Sequence, residues 1–212
     1  MSDADDSSDE PSRRTDSTET VEEIMTATYR ALSSHGYPGT TMARIAAEFP
    51  KSKSLLYYHY DGKDDLLTDF FAYLCDRLEA DLTDRHHDDE PVDQLLELIG
   101  RILPSPAEPE QFQFRQAYFE IRSQAPHNEA YLEQISRSDR LVLEALRTNI
   151  AAGVEAGVYR EVDPSVHAEL LFSTLVGIME RGVTLEDRET VERNRAALIE
   201  SIESELFVDS TA

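Results

Sequence analysis

Residues 51–63 concentrate the side chains of this chain that are best suited to contact phosphates and base edges. The stretch contains the chain's only three lysines, Lys51, Lys53 and Lys63. Hydroxyl, phenol and imidazole groups lie between them, at Ser52, Ser54, Tyr57, Tyr58 and His59. Ammonium groups contact phosphate oxygens, whereas hydroxyl groups reach either phosphates or base edges. This combination predicts a contact with nucleic acid, and the alternative is a cluster of charges on a solvated surface.

The charge of the whole chain opposes such a contact, but its distribution supports it. The 212 residues include 20 basic and 43 acidic side chains, for a formal net charge of −23, which repels nucleic acid and anionic membranes. Segment 36–63 reverses the sign, because Arg44 and the three lysines oppose only Glu48 and Asp61. Few lysines and many carboxylates favour a halophilic source, with an acidic mesophilic protein as the alternative.

Composition also argues against several function classes. A single cysteine, Cys75, leaves no intramolecular disulfide and no cysteine-based zinc site. Charges interrupt every apolar run and the acidic N-terminus lacks an apolar signal, so we expect a cytoplasmic protein without membrane contact. The run from His86 to Glu90 is interpreted as a polar loop. In the absence of a catalytic or phosphate-loop motif, we expect neither an enzyme nor a bound cofactor or metal.

Apolar residues recur at three- and four-residue spacing from Val21 to Phe207, and no segment alternates with the period of a strand. The predicted fold class is therefore all-α, with about nine helices. Residues 1–20 contain no large apolar residue after Met1 and are predicted to form a disordered acidic tail. The predicted helices cover about 21–35, 41–49, 52–60, 64–82, 91–103, 112–125, 128–156, 163–181 and 187–207.

Two of these helices, within 41–60, are short and joined by a tight turn, which predicts a helix-turn-helix. The second is too short to be stable alone, so Leu56 and Tyr60 are expected to anchor it in the core. Its other face carries small and hydrogen-bonding groups that suit a major groove about 12 Å wide. The pattern leaves open whether Tyr58 packs beneath the helix, and whether His59 and Lys63 are only solvated surface groups.

One ordered set of residues resembles the N-terminal domain of the TetR family of transcriptional regulators. It runs Gly36-Tyr37-Pro38-Gly39-Thr40-Thr41-Met42-Ala43-Arg44-Ile45-Ala46, then Ser52-Lys53-Ser54-Leu55-Leu56-Tyr57-Tyr58-His59-Tyr60, then Lys63 with Leu66-Leu67. The resemblance implies a three-helix DNA-binding domain over 21–68 and a helical ligand-binding and dimerisation domain over 69–212. Segment 112–182 is similar to the C-terminal domain of BetI-like members of the family.

The family resemblance implies a ligand-responsive repressor that binds a palindromic double-stranded DNA operator through the helix at 52–59. It also implies a homodimer that is formed through the last two helices. Phosphate contacts are implied for Thr41, Arg44 and Lys63, and base-edge contacts for Ser52, Lys53, Ser54 and Leu55. The positions of Tyr57, Tyr58 and His59 match contacts to phosphates or thymine methyls. The turn reads Phe49-Pro50-Lys51 instead of the family's usual Ala-Gly-Val, which either reshapes the turn or directs Lys51 toward phosphate.

The C-terminal region contains candidates for an effector pocket, a group of aromatic and apolar residues with two arginines that are seven residues apart. Such a set can line an apolar pocket with a basic anchor for an anionic or acyl ligand, and the alternative is ordinary core with surface arginines. The candidates are Phe112, Arg115, Tyr118, Phe119, Arg122, Phe172 and Met179. For the whole chain, the alternative function is a helical small-molecule-binding protein or enzyme with a vestigial helix-turn-helix.

Overall fold

The computed structural model describes residues 10–83 and 90–208. This part of the chain contains nine α-helices and one 3₁₀ turn (Ala125–His127), and no strand, so the predicted all-α class is confirmed. No helix in the described ranges is both long and apolar enough to cross a membrane. Apart from Glu90, the predicted polar loop from His86 to Glu90 lies outside the described residues. The helices are α1 (Glu10–Gly39), α2 (Met42–Glu48), α3 (Lys53–His59), α4 (Lys63–Thr83), α5 (Pro91–Ile102), α6 (Pro109–Arg122), α7 (Glu129–Glu155), α8 (Pro164–Leu185) and α9 (Arg188–Glu205).

Helix α1 begins earlier than the sequence predicts. It starts at Glu10, so the structure differs from the predicted disordered tail over residues 10–20, while residues 1–9 of that prediction lie outside the described part. Thr20 is buried and accepts a hydrogen bond from Lys51, a tertiary contact that composition does not reveal. Once a packed helix exists, each added residue extends it at little cost, because nucleation is the unfavourable step.

Gly36 marks the kink at which the regular part of α1 stops, next to the predicted helix end at about residue 35. Its φ of 64° is a left-handed value, which a residue without Cβ adopts readily. A Cβ at this position would lie 3.1 Å from Oε2 of Glu120 on α6. The glycine is therefore required both by the backbone conformation and by the close approach of α6.

The helix-turn-helix is formed by α2 and α3, and side-chain caps define both of its helices. The hydroxyl of Thr41 accepts a hydrogen bond from the N–H of Arg44, and that of Ser52 accepts one from Leu55, each at 3.3 Å. Phe49, at the end of α2, is buried and extended. Glu186 is the only non-glycine residue of the described ranges with a positive φ, so the turn at 49–51 needs no left-handed residue.

The C-terminal helices begin where local sequence signals favour a helix start. Proline occupies the first turn of α5, α6 and α8, where its missing N–H has no intrahelical partner to lose. Side chains cap α7, α8 and α9, from Asn128, Asp163 and Asp187 respectively. These signals explain why the number and order of the helices follow the predicted pattern.

A continuous apolar core joins the helix-turn-helix region to the C-terminal helices. Phe71 on α4 packs edge-on against Tyr118 of α6 and Tyr131 of α7, with centroid separations of 5.7 and 6.0 Å. The Tyr131 hydroxyl donates a 2.8 Å hydrogen bond to the carboxylate of Asp64, in the first turn of α4. Burial and this carboxylate raise the pKa of Tyr131, so the hydroxyl remains a donor. Helix α4 is thus held at its first turn and near its middle.

Candidate nucleic-acid interface and ligand cavity

Helix α3 has an apolar inner side and a polar outer face. Leu56 is fully buried and Tyr60 is 6% exposed, so both anchor the helix as predicted. Leu55 and His59 are partly buried. The exposed residues at its start and along its outer face are Ser52, Lys53, Ser54, Tyr57 and Tyr58. Hydroxyl, ammonium and phenol groups are therefore presented together on one side of a capped helix.

Tyr58 is the most exposed large aromatic residue of this face. It is 83% exposed, so it does not pack beneath the helix, and Tyr57 is 46% exposed. The Tyr58 ring lies edge-on to His59, with 5.5 Å between the centroids. Leaving apolar surface in water forgoes roughly 25 cal/mol per Å² of burial energy, and a partner that covers the ring recovers it.

Lys53 is held over the ring of Tyr57. Its Nζ lies 5.3 Å from the ring centroid, one helical turn away, which is a cation–π arrangement. Within the described ranges no carboxylate forms an ion pair with Lys53. The ammonium group is therefore pre-positioned on the outer face and still has its hydrogen-bond donors available for phosphate or base edges.

Lys51 is placed differently from the expectation that it points toward phosphate. Its Nζ lies 2.7 Å from Oε2 of Glu23 and donates to the hydroxyl of Thr20 at 2.9 Å, both on α1. The reason is the presence of Glu23 across from the turn, a partner 28 positions earlier that the local motif does not reveal. Lys51 therefore ties the turn of the helix-turn-helix to α1.

Thr41, Arg44 and Lys63 surround the end of α1. Thr41 and Arg44 are exposed, and the Arg44 guanidinium donates to the carbonyl of Gly39. The Nζ of Lys63 donates to the carbonyl of Tyr37 at 3.1 Å and lies 3.9 Å from its ring centroid. Partial burial lowers the pKa of Lys63, and nearby Asp64 opposes this shift. This carbonyl contact occupies one of the three ammonium donors and leaves others for a phosphate.

A cavity of about 700 Å³ lies among α1, α4, α5, α6 and α7. Of the predicted ligand residues, Arg115 and Tyr118 line it. Sequence reasoning missed the α4 wall, formed by Phe71, Leu74 and Leu78, because their three- and four-residue spacing fits core residues equally well. Within the described ranges, no group of three His, Cys, Asp or Glu side chains is arranged to hold a metal ion.

The remaining predicted ligand residues do not line this cavity: Phe112, Phe119, Arg122, Phe172 and Met179. The four apolar ones are buried or partly buried in the core cluster. Arg122 forms two hydrogen bonds, of 2.7 and 2.6 Å, with the carboxylate of Asp139 on α7. This ion pair raises the pKa of Arg122. Of the two arginines, one therefore has a structural partner and the other, Arg115, belongs to the cavity.

Comparison with known proteins identifies the family. The family model described as bacterial regulatory proteins, tetR family, matches residues 24–69. The model described as BetI-type transcriptional repressor, C-terminal, matches residues 91–206. A TetR transcription regulator from Haloarcula marismortui is 36% identical with a TM-score of 0.72, over 89% of this chain and 99% of that chain.

More distant solved structures share the fold. A transcriptional regulator from Saccharomonospora viridis in complex with choline is 20% identical, with a TM-score of 0.72 over 90% of this chain and 99% of that one. The SmeT–triclosan complex is 15% identical, with a TM-score of 0.63 over 91% of this chain and 93% of that one. SmeT is the repressor of the Stenotrophomonas maltophilia multidrug efflux pump SmeDEF. A search of the curated proteins gives no match.

The chain belongs to the TetR family of transcriptional regulators and has a BetI-type C-terminal domain. It is a DNA-binding regulator of the ligand-responsive repressor type, and its helix-turn-helix is formed by α2 and α3. The family predicted from residues 36–67 is confirmed.

Proposed function

We propose that this regulator binds a palindromic operator as a homodimer, reads it with the outer face of α3, and leaves it when a small molecule fills the cavity. The observation that carries this proposal is the exposed set Lys53, Tyr57 and Tyr58 on a capped helix whose inner side is buried. Two such helices, about 34 Å apart, would enter successive major grooves.

The proposed DNA contacts fall into two groups, according to the part of the DNA that each side chain contacts. On α3 and its cap, Ser52, Lys53, Ser54 and Leu55 approach base edges, which determines sequence preference. The surrounding residues contact phosphates or thymine methyls and determine affinity and register; these are Thr41, Arg44, Tyr57, Tyr58, His59 and Lys63. The regions matched by the two family models, 24–69 and 91–206, support dividing the chain into a DNA-binding domain over 21–68 and a C-terminal domain over 69–212.

Dimerisation is proposed through α8 and α9. Val166 and Leu170 lie one turn apart on α8 and are 52% and 61% exposed, and Leu185 at its end is 58% exposed. Large apolar side chains left in water along one helix indicate a surface that another molecule covers. A second copy of α8 and α9 would bury them and would place the two copies of α3 on one side of the dimer.

A continuous set of contacts supports regulation from the cavity. Glu120, on the helix that carries Arg115, accepts a 2.8 Å hydrogen bond from the N–H of Tyr37, whose carbonyl and ring hold Lys63. A ligand that displaces α6 would therefore change the positions of Tyr37 and Lys63. Its effect on operator affinity is limited to its differential affinity for the two arrangements. We infer that binding alone, without a catalysed reaction, produces the response.

We also infer that the protein works at high salt, inside the cell. The acidic composition supports this, as does the 36% identical regulator from a Haloarcula species. Arg44 and Lys63 are the cations proposed to face phosphate, about four in a dimer, for which counterion release gives a log–log salt slope of about −4. Filter binding across a salt series measures it, and a slope near −10 would contradict this count of contacts.

Selection of operators from a random double-stranded DNA pool tests the proposed function. The wild-type protein should enrich a two-fold symmetric sequence, and the double variant Lys53→Ala with Tyr57→Ala should fail to retain it. A matched control is Arg147→Ala, which changes an exposed residue of α7 that pairs with Glu144. If the double variant enriches the same sequence as the wild type, α3 is not the reader.

A further inference from the structure

We propose that the effector of this regulator is an organic carboxylate with an apolar body, and that its carboxylate binds Arg115. This inference rests on the proposed function, because it identifies the chemical class of the ligand that fills the same cavity. It differs from a choline-type cation, the ligand of the Saccharomonospora viridis regulator that shares the fold.

The Arg115 guanidinium lacks an anionic partner among the described residues. One of its terminal nitrogens donates to the carbonyl of Arg101, and its Nε is buried without any hydrogen-bond partner. Among the described residues, the titratable neighbours that affect its pKa are the phenols of Tyr118 and Tyr29, and neither is a carboxylate. Burial lowers the pKa of Arg115, but a guanidinium stays protonated, so the cavity wall contains a cation whose contacts are a carbonyl and the ring of Tyr118.

The other charged groups of the wall already have partners. Arg101 bonds to Glu97 at 2.9 Å and to Asp81 at 3.2 Å. Arg77 donates to the hydroxyl of Tyr73 at 3.0 Å. Because Arg101 is neutralised by Glu97 and Asp81, the remaining cations of the wall are Arg77 and Arg115, and they make the wall positive within a chain whose net charge is −23. Like charges repel most strongly where water is excluded, so the wall favours an anion over a cation.

The wall contains a second polar group that could anchor a ligand. Gln134 on α7 lies in the wall, and its Oε1 is buried without a hydrogen-bond partner. A terminal amide can turn to present either its oxygen or its NH₂ group. Gln134 can therefore donate to the second oxygen of a carboxylate, or accept from a hydroxyl next to it. A ligand with a polar group in this cavity would therefore supply partners for the side chains of Arg115 and Gln134.

Most of the remaining wall is apolar. It includes Phe71, Leu74 and Leu78 of α4, Phe114 of α6 and Ile135 of α7. Its volume of about 700 Å³ is within the range of about 300–1,000 Å³ that holds small organic ligands. A simple inorganic anion would leave this surface uncovered, so the ligand needs a hydrocarbon or aromatic body attached to its carboxylate.

Titration calorimetry on the full chain at high salt tests the proposal with a matched set of probes. The acids are phenylacetate, phenylbutyrate and octanoate, the neutral isostere is phenylbutyramide, and the cation is choline. We expect at least one acid to bind, with phenylbutyrate about tenfold or more tighter than its amide, and choline not to bind. If no acid binds, or if choline or the amide binds at least as tightly as the best acid, the proposal is overturned.

Variants at Arg115 separate recognition from folding. Arg115→Met should abolish acid binding, and Arg115→Lys should keep part of it, because a point charge replaces a two-pronged donor. The control is Arg147→Met, at an exposed arginine of α7, which should bind the acid as the wild type does. The melting temperature of ligand-free Arg115→Met should equal or exceed that of the wild type, since an uncompensated charge is removed. Acid binding that survives Arg115→Met overturns the proposal.

A gel shift with the selected operator distinguishes this inference from the proposed function. Release of DNA by the same acid supports both. Binding of the acid through Arg115 without any change in operator affinity confirms the ligand class and overturns the proposed regulation. Release of DNA by choline, with no effect of the acids, overturns the ligand class and leaves the regulation intact.

Discussion

The outer face of α3 and the wall of the cavity each contain one side chain in an energetically unfavourable environment, but the type of side chain differs. On α3 the ammonium of Lys53 lies in water at little cost, and the costly group is the ring of Tyr58, which is 83% exposed. In the cavity wall the aromatic rings pack against one another, and the costly group is the guanidinium of Arg115. Large aromatic rings are normally kept out of water, and charges are normally kept out of a buried wall without an ionic partner. Each of these two groups therefore indicates a binding site.

The largest effect expected from this comparison is at the inner side of α3. Leu56→Ala should lower the free energy of unfolding by about 2–5 kcal/mol, because a fully buried side chain is replaced by a void. Leu55→Ala, at the partly buried neighbour, should lower it by about 1 kcal/mol. Urea denaturation at one fixed protein concentration measures both. If both variants lose the same free energy of unfolding, the inner and outer sides of α3 do not differ in burial.

A second comparison is between the two arginines of α6. Arg122→Met should lower the free energy of unfolding by about 1.5–3 kcal/mol, because it leaves the carboxylate of Asp139 without its two hydrogen bonds. Thermal unfolding of this variant beside Arg115→Met measures the contrast, since the latter should melt no lower than the wild type. If both variants are destabilised to the same extent, Arg115 is a structural residue and the cavity has no free cation.

A smaller effect is expected at the contact that joins the two regions. Glu120→Gln replaces a charged acceptor of the Tyr37 N–H by a neutral one, which should lower the free energy of unfolding by about 1 kcal/mol. The ratio of operator affinities without and with ligand should shrink, because α6 is then coupled less tightly to Tyr37. Gel shifts with and without the acid measure this ratio. An unchanged ratio would remove Glu120 from the regulatory link.

Local sequence signals predicted the parts of the molecule that depend on local contacts. The two short helices predicted at 41–49 and 52–60 and the burial of Leu56 follow from short-range pattern, and the structure has each of them. The places that differ depend on partners far away in the chain. Lys51 turns inward because Glu23 faces it, and composition does not show that residues 10–20 are helical.

The cavity was only partly predictable for the same reason. The sequence pattern does not distinguish Arg115 from Arg122, which lie seven residues apart on α6. Only the position of Asp139 on α7 shows that Arg122 is the one with a carboxylate partner. The α4 wall has the same periodicity as the core, because a cavity is lined by residues that would otherwise pack together. Its recognition requires the relative placement of α1, α4, α6 and α7, which no single segment specifies.

The most direct test of the account compares two lysines that are two positions apart. The central claim is that Lys53 faces DNA while Lys51 holds the turn to α1. In quantitative gel shifts with the selected operator, Lys53→Ala should lower affinity by about tenfold or more. Lys51→Ala should lower the free energy of unfolding by at most about 1 kcal/mol and leave operator affinity nearly unchanged. Loss of affinity in Lys51→Ala, with Lys53→Ala binding as the wild type does, would contradict the account.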